Sequence, residues 1–155
     1  MGARDDLKDL RGVRGEILRV LAPEVNGKTI GVVDVAMDPR NPDVLFAATF
    51  QRERRQWSML GGGPESGLFR SMDGGESWSR VEGGFATGDL GRIGITYCPG
   101  SPETLYASAV GMDGGIFRST DGGVSWEKRN GSIQSHWYYG ELVCDPADPD
   151  RLYVP

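Results

Sequence analysis

Ser71-Met72-Asp73-Gly74-Gly75-Glu76-Ser77-Trp78 returns as Ser119-Thr120-Asp121-Gly122-Gly123-Val124-Ser125-Trp126, about 48 residues later. Each copy follows a short apolar run, Gly67-Leu68-Phe69-Arg70 and Gly115-Ile116-Phe117-Arg118. A second unit appears three times, over Val35–Phe46, Ile95–Tyr106 and Leu142–Tyr153, as two apolar runs joined by a proline-rich turn. Two independent motifs recurring in the same order mark an internal repeat, and a period of this length belongs to repeat architectures.

Each repeat reads as four strands. The first spans Gly31–Met37, Val44–Phe50, Gly67–Ser71 and Ser77–Val81; the second spans Arg92–Tyr97, Thr104–Val110, Gly115–Ser119 and Ser125–Arg129. A third begins at Tyr139 and reaches its second strand by Pro155, while Glu16–Val20 resembles the last strand of a preceding unit. Four-stranded units of this length match the blades of a propeller. The expected fold is therefore all-β, a partial β-propeller of four-stranded antiparallel blades with two complete blades and flanking strands. The chain divides into a segment 1–30 ending an earlier blade, blades 31–82 and 83–130, and the start of another, 131–155. Closed rings use four to eight blades, and each blade buries its faces only against neighbours. The expectation is thus a fragment of a longer chain, its open faces covered by remaining blades or by further copies.

The Ser-x-Asp-Gly-Gly-x-Ser-Trp run lies where the third strand turns into the fourth. An Asp carboxylate in a turn accepts from backbone amides a few residues on. Gly74, Gly75, Gly122 and Gly123 tolerate positive φ. Ser71 and Ser77, or Ser119 and Ser125, offer hydroxyls to Asp73 or Asp121, and Trp78 or Trp126 brings a large side chain to bury between blades. Every residue type has a folding role, so these positions are read as structural rather than catalytic.

Composition excludes several functions. The net charge of −5 argues against general nucleic-acid binding, which needs clustered Lys and Arg. A single histidine, His136, excludes sites built on two imidazoles, and no metal or other cofactor is implied. The acidic run from Asp145 to Asp150 matches the first repeat's Asp38–Asp43, where Arg40 and Asn41 intrude, so it reads as an exposed turn. No apolar stretch is long enough for a membrane span, and the N-terminus lacks an apolar signal core. Cys98 and Cys144 are too few for a disulfide framework and read as small buried apolar residues.

The two Asp-centred turns resemble the Asp-box, or bacterial neuraminidase repeat, of sialidases, xyloglucanase-type glycosidases and sortilin-type receptors. The wider run from Gly31 to Tyr153, including Gly61-Gly62-Gly63-Pro64-Glu65-Ser66-Gly67, is similar to bacterial sortilin-like repeat proteins. The resemblance implies a propeller with the boxes on its outer rim and an exported, periplasmic or extracellular parent. It does not choose between enzyme and receptor. Sialidases carry an Arg-Ile-Pro element, and Arg92-Ile93-Gly94 lacks the proline.

Function is expected on the face opposite the boxes, in Gln51–Ser66, Glu82–Gly91, Gly111–Gly114 and Asn130–Tyr138. There Arg52, Arg54, Arg55 and Trp57, with His136, Trp137, Tyr138 and Tyr139, form ligand-binding candidates, and Arg92 on an innermost strand is a further one. Aromatic and guanidinium groups suit sugar stacking or a peptide carboxylate, although the same tryptophans also suit filling gaps between loops. Aligning the innermost strands on Pro39, Pro99 and Pro146 matches Asp34 with Gly94 and Glu141, and Val32 with Arg92 and Tyr139. Asp34 and Glu141 then occupy equivalent places two blades apart, with Arg92 between. This arrangement reads either as an ion pair between blades or as a channel site with catalytic carboxylates. The leading reading is a non-catalytic module binding a peptide or glycan. The alternative is part of a xyloglucanase- or sialidase-like glycoside hydrolase whose carboxylates lie partly outside this chain.

Overall fold

The computed structural model describes residues 30–54, 56–131 and 141–154, so the expected strand at Glu16–Val20 lies outside the described residues. The first blade is a sheet of β1 (Ile30–Asp38), β2 (Asn41–Arg54), β4 (Gly67–Ser71) and β5 (Ser79–Arg80) in that order, with β3 (Met59–Gly61) paired to the far end of β2. The second blade runs β6 (Ile93–Cys98), β7 (Ser101–Ala109), β8 (Gly115–Ser119) and β9 (Glu127–Asn130). β10 (Val143–Cys144) and β11 (Leu152–Tyr153) pair as the first two strands of a third. All pairings are antiparallel. β3 was not expected; it forms because β2 continues past the sheet and folds back, pairing Arg52 with Gly61 and Arg54 with Met59.

The second strand of each blade explains the apolar runs. Val44 to Ala48 and Leu105 to Ala109 are almost fully buried, because these strands sit mid-sheet with material on both faces. Alanines and Ser108 keep them thin enough for neighbouring sheets to approach. One cluster joins the blades: Phe46 and Leu68 of the first meet Phe117 and Trp126 of the second, with Phe85 and Leu90 from the connection between them. Burying a side chain of this size contributes about 1.5–3 kcal/mol, so the blade interface is the core.

Cys98 and Cys144 are buried as expected, but they are joined in a disulfide, which corrects the apolar reading. The two residues end the innermost strands of adjacent blades, where the backbones come within 5.1 Å (Cα to Cα). At the preceding interface the same repeat positions hold Asp38 and Tyr97.

Candidate functional site

The Asp-centred turns are closed networks. Ser71 Oγ donates to Asp73 Oδ1 at 2.7 Å and accepts from the Gly75 amide at 2.8 Å. Asp73 also accepts from the Ser77 amide at 2.9 Å and from the Ser77 hydroxyl. The second turn repeats each bond, and the Val124 amide adds one at 3.0 Å. The Ser77 hydroxyl and amide, then Ser71, hold the Asp73 carboxyl down at about 2. At Asp121 burial pushes upward, but the Ser125 and Ser119 donors outweigh it, again to about 2. Gly74 and Gly122 donate to the Asp43 and Glu103 carbonyls, tying each turn to the first-to-second turn of its own blade. Trp126 is 6% exposed against Phe46 and Phe85, whereas Trp78, whose neighbour would be an earlier blade, is half-buried.

On the innermost strand a bulge at Val33 shifts the register, so that Val32 pairs with Thr49 and Asp34 with Ala48. In the second blade Ile93 pairs with Ala109 and Gly94 with Ser108. Asp34 and Gly94 are therefore equivalent, but the extra residue places Val32 level with Ile93 rather than Arg92. The partner that Asp34 takes from the second blade is a main-chain amide: Ile95 N donates to Oδ2 at 2.9 Å, while Val35 N donates to Oδ1 at 2.9 Å. Arg92 is half-buried and its carbonyl accepts from Val110 N at 3.0 Å. Glu141 is exposed.

The opposite face carries the β2–β3 hairpin. Its base is locked by groups that the sequence reading did not single out. Ser66, fully buried, accepts on its Oγ from Gln51 N at 2.9 Å, and Gln51 Oε1 accepts from Glu65 N at 3.3 Å. Thr49 Oγ1 donates to the Glu65 carbonyl at 2.8 Å. Gly63 lies on the Gln51 amide, where a Cβ would come within 2.2 Å of Oε1, and its N–H reaches the Leu90 carbonyl of the connection between blades at 3.0 Å. Only the Gly61–Gly67 run hinted at this packing. Arg52 is half-buried on the hairpin, and Trp57 at its turn is 81% exposed. The Arg54 side chain, Arg55, His136, Trp137, Tyr138 and Tyr139 lie outside the described residues, so the proposed aromatic grouping with Trp57 is not assembled among the described ones.

Neither a protein-family model nor a curated protein sequence matches the chain. Solved structures do. An ancestral GH74 enzyme superposes with a TM-score of 0.52 and 22% identity over 80% of this chain. The GH74 xyloglucanase from Xanthomonas campestris gives 0.54 and 20% over 85% of it. The fold is a partial β-propeller. This chain spans 16% of the first of those proteins and 20% of the second. At these identities the likeness carries the architecture and not the activity.

Proposed function

We propose that the chain is a non-catalytic part of a propeller that binds a glycan or peptide across its loop face, with Trp57 as a stacking platform. The observation that carries this reading is the indole itself, 81% exposed at the turn of a hairpin whose base is fixed by Gln51, Ser66 and Thr49. Leaving a side chain of that size in water forgoes about 2 kcal/mol of burial. An aromatic ring recovers such a cost when a ligand stacks on it. Arg52 supplies donors on the same hairpin. Asp34 favours the binding reading, because its two oxygens accept from a main-chain amide on each blade, the arrangement of a staple between sheets.

On this reading the two turns are Asp-boxes of a sortilin-like repeat protein, and the cystine between the second and third blades favours an exported setting. The likeness to GH74 enzymes supports a second reading, part of a propeller glycoside hydrolase. That reading requires a partner carboxylate about 5–5.5 Å away for retention or about 6.5–9.5 Å for inversion.

Calorimetric titration of the chain with xyloglucan oligosaccharides and with unstructured peptides tests the proposal. Trp57→Ala is expected to weaken binding at least about ten-fold and to leave Tm within about 1 °C, as an exposed position should. Equal affinity for the variant removes Trp57 as the platform. Release of reducing sugar from the same panel supports the hydrolase reading instead.

A further inference from the structure

The arginines divide by what their guanidinium groups meet. Arg40 pairs with Asp38 at 3.0 Å, Arg118 with Asp150 at 2.7 Å, Arg129 with Glu127 at 3.0 Å and Arg151 with Asp145 at 3.7 Å. Arg80 donates to the Pro64 carbonyl at 3.2 Å and to the Ser66 carbonyl, and the Arg70 guanidinium lies 5.6 Å from the centre of the Phe46 ring. Arg52 and Arg92 are both half-buried, and among the described residues neither guanidinium has a carboxylate, a carbonyl or an aromatic ring as its partner. A guanidinium presents five donors in a fixed fork that matches carboxylate geometry, so one partly withdrawn from water with no acceptor is built to meet an anion.

Both lie at the same end of the fold, and the glycine run brings them there. Arg52 pairs with Gly61 across the β2–β3 ladder. The Gly61 carbonyl lies against Gly91, where a Cβ would stand 3.1 Å from it, and a Cβ on Gly62 would come within 2.8 Å of the Leu90 carbonyl. The hairpin therefore settles on the residues that lead into the second blade's innermost strand, and Arg92 directly follows Gly91. These steps put the Arg52 and Arg92 Cα atoms within roughly 16 Å of each other, one on each blade. The Val110 amide, at the start of the β7–β8 turn, donates to the Arg92 carbonyl at 3.0 Å, so both arginines stand on the face opposite the Asp-centred turns. Between Gln51 and Gly61 the sequence adds Arg54 and Arg55 against Glu53 alone, a positive stretch in a chain of net charge −5.

We propose, building on the binding reading above, that Arg52 and Arg92 read negative charge on a glycan and that the ligand is a chain of uronic acids. Its successive carboxylates meet the two guanidinium groups across the blades while Trp57 stacks on a sugar ring. Arginines on separate blades suit charges repeated along a polymer better than one terminal carboxylate, and the exposed indole suits a pyranose face better than an acidic peptide. Two guanidinium groups on an acidic chain supply selectivity among glycans, not affinity for every polyanion.

The probe is an oligogalacturonide, titrated calorimetrically into the full chain beside the same oligomer with its carboxylates methyl-esterified. The rings are identical, so the comparison reads charge. The acid is expected to bind at least about ten-fold more tightly than the ester. That preference should fade toward about 1 M salt, where the screening length shrinks to about 3 Å. Arg52→Gln and Arg92→Gln should each remove most of the preference and leave binding of the ester unchanged. Equal binding of acid and ester overturns the inference while the Trp57 platform stands. Equal loss of acid and ester binding in the variants also overturns it, because the arginines would then prop the hairpin rather than read charge. Preference for an oligoglutamate of the same length overturns it in favour of a peptide ligand. Failure of all three probes to bind overturns the binding reading together with the inference.

Discussion

At Asp121 the Val124 and Ser125 amides and the Ser119 and Ser125 hydroxyls converge on one carboxylate. Hydrogen bonds to an ionised acceptor stabilise the charge, and they hold the carboxyl at about 2 against an ordinary 3.8. The unfolded chain therefore binds more protons than the folded one between these values. Stability from the turn is fully present above pH 3.8 and is lost as pH falls through about 2. Asp121→Asn should lower Tm at pH 7 by about 5 °C, and the gap from wild type should narrow as thermal melts are repeated from pH 4 downward. A gap that stays constant across that range would show that the carboxylate charge is not what holds the turn. This chemistry was legible because all of it lies within eight consecutive residues, and the Ser, Asp and Gly types have few other reasons to recur together. Asp34 was harder to read: its donor from the second blade, Ile95 N, is 61 residues away, and the Val33 bulge leaves no mark in composition. The cystine was hidden for a related reason, since its two residues occupy different repeat positions and meet only where neighbouring blades face each other.

Among the elements, the third-to-fourth-strand hairpins recur with the same bonds, yet their two glycines do different work. Gly122 has φ of 71° and open space around its Cβ position, whereas Gly123 has φ of 83° and the buried Phe46 ring in the way. Gly122→Ala should cost about 1 kcal/mol, the price of a left-handed backbone alone. Gly123→Ala adds a clash with a ring that cannot leave and should cost about 3 kcal/mol. Urea denaturation of the two variants checks this, and equal losses would mean that the hairpin does not lie on Phe46. Strand existence followed from the repeats, and Gly67–Ser71 and Gly115–Ser119 match to the residue. β3 did not, because three residues following an Arg-rich stretch carry no alternating pattern, and their pairing comes from the hairpin closing over Gln51 and Ser66.

For the whole molecule, stability rests on one sheet covering the next, since the main apolar cluster is shared between blades. The third blade has only two described strands, and the Cys98–Cys144 link joins them to the second across 46 residues of sequence. Closing a loop of that length contributes about 4 kcal/mol by restricting the open state. Reduction by a dithiol should therefore speed exchange of the Val143, Cys144, Leu152 and Tyr153 amides by up to roughly 1000-fold, while Phe46 and Leu105 keep their protection. Uniform acceleration across both complete blades would mean that the link holds the entire fold instead. The radial stacking of four-stranded sheets is most directly tested by nuclear Overhauser contacts of the Phe46 ring in the full chain. Strong cross-peaks from that ring to the Gly123 α protons and the Trp126 indole are expected. Cross-peaks to the Trp78 indole with none to Gly123 would contradict the account, because the hairpin would then fold onto its own sheet and no blade would cover the next.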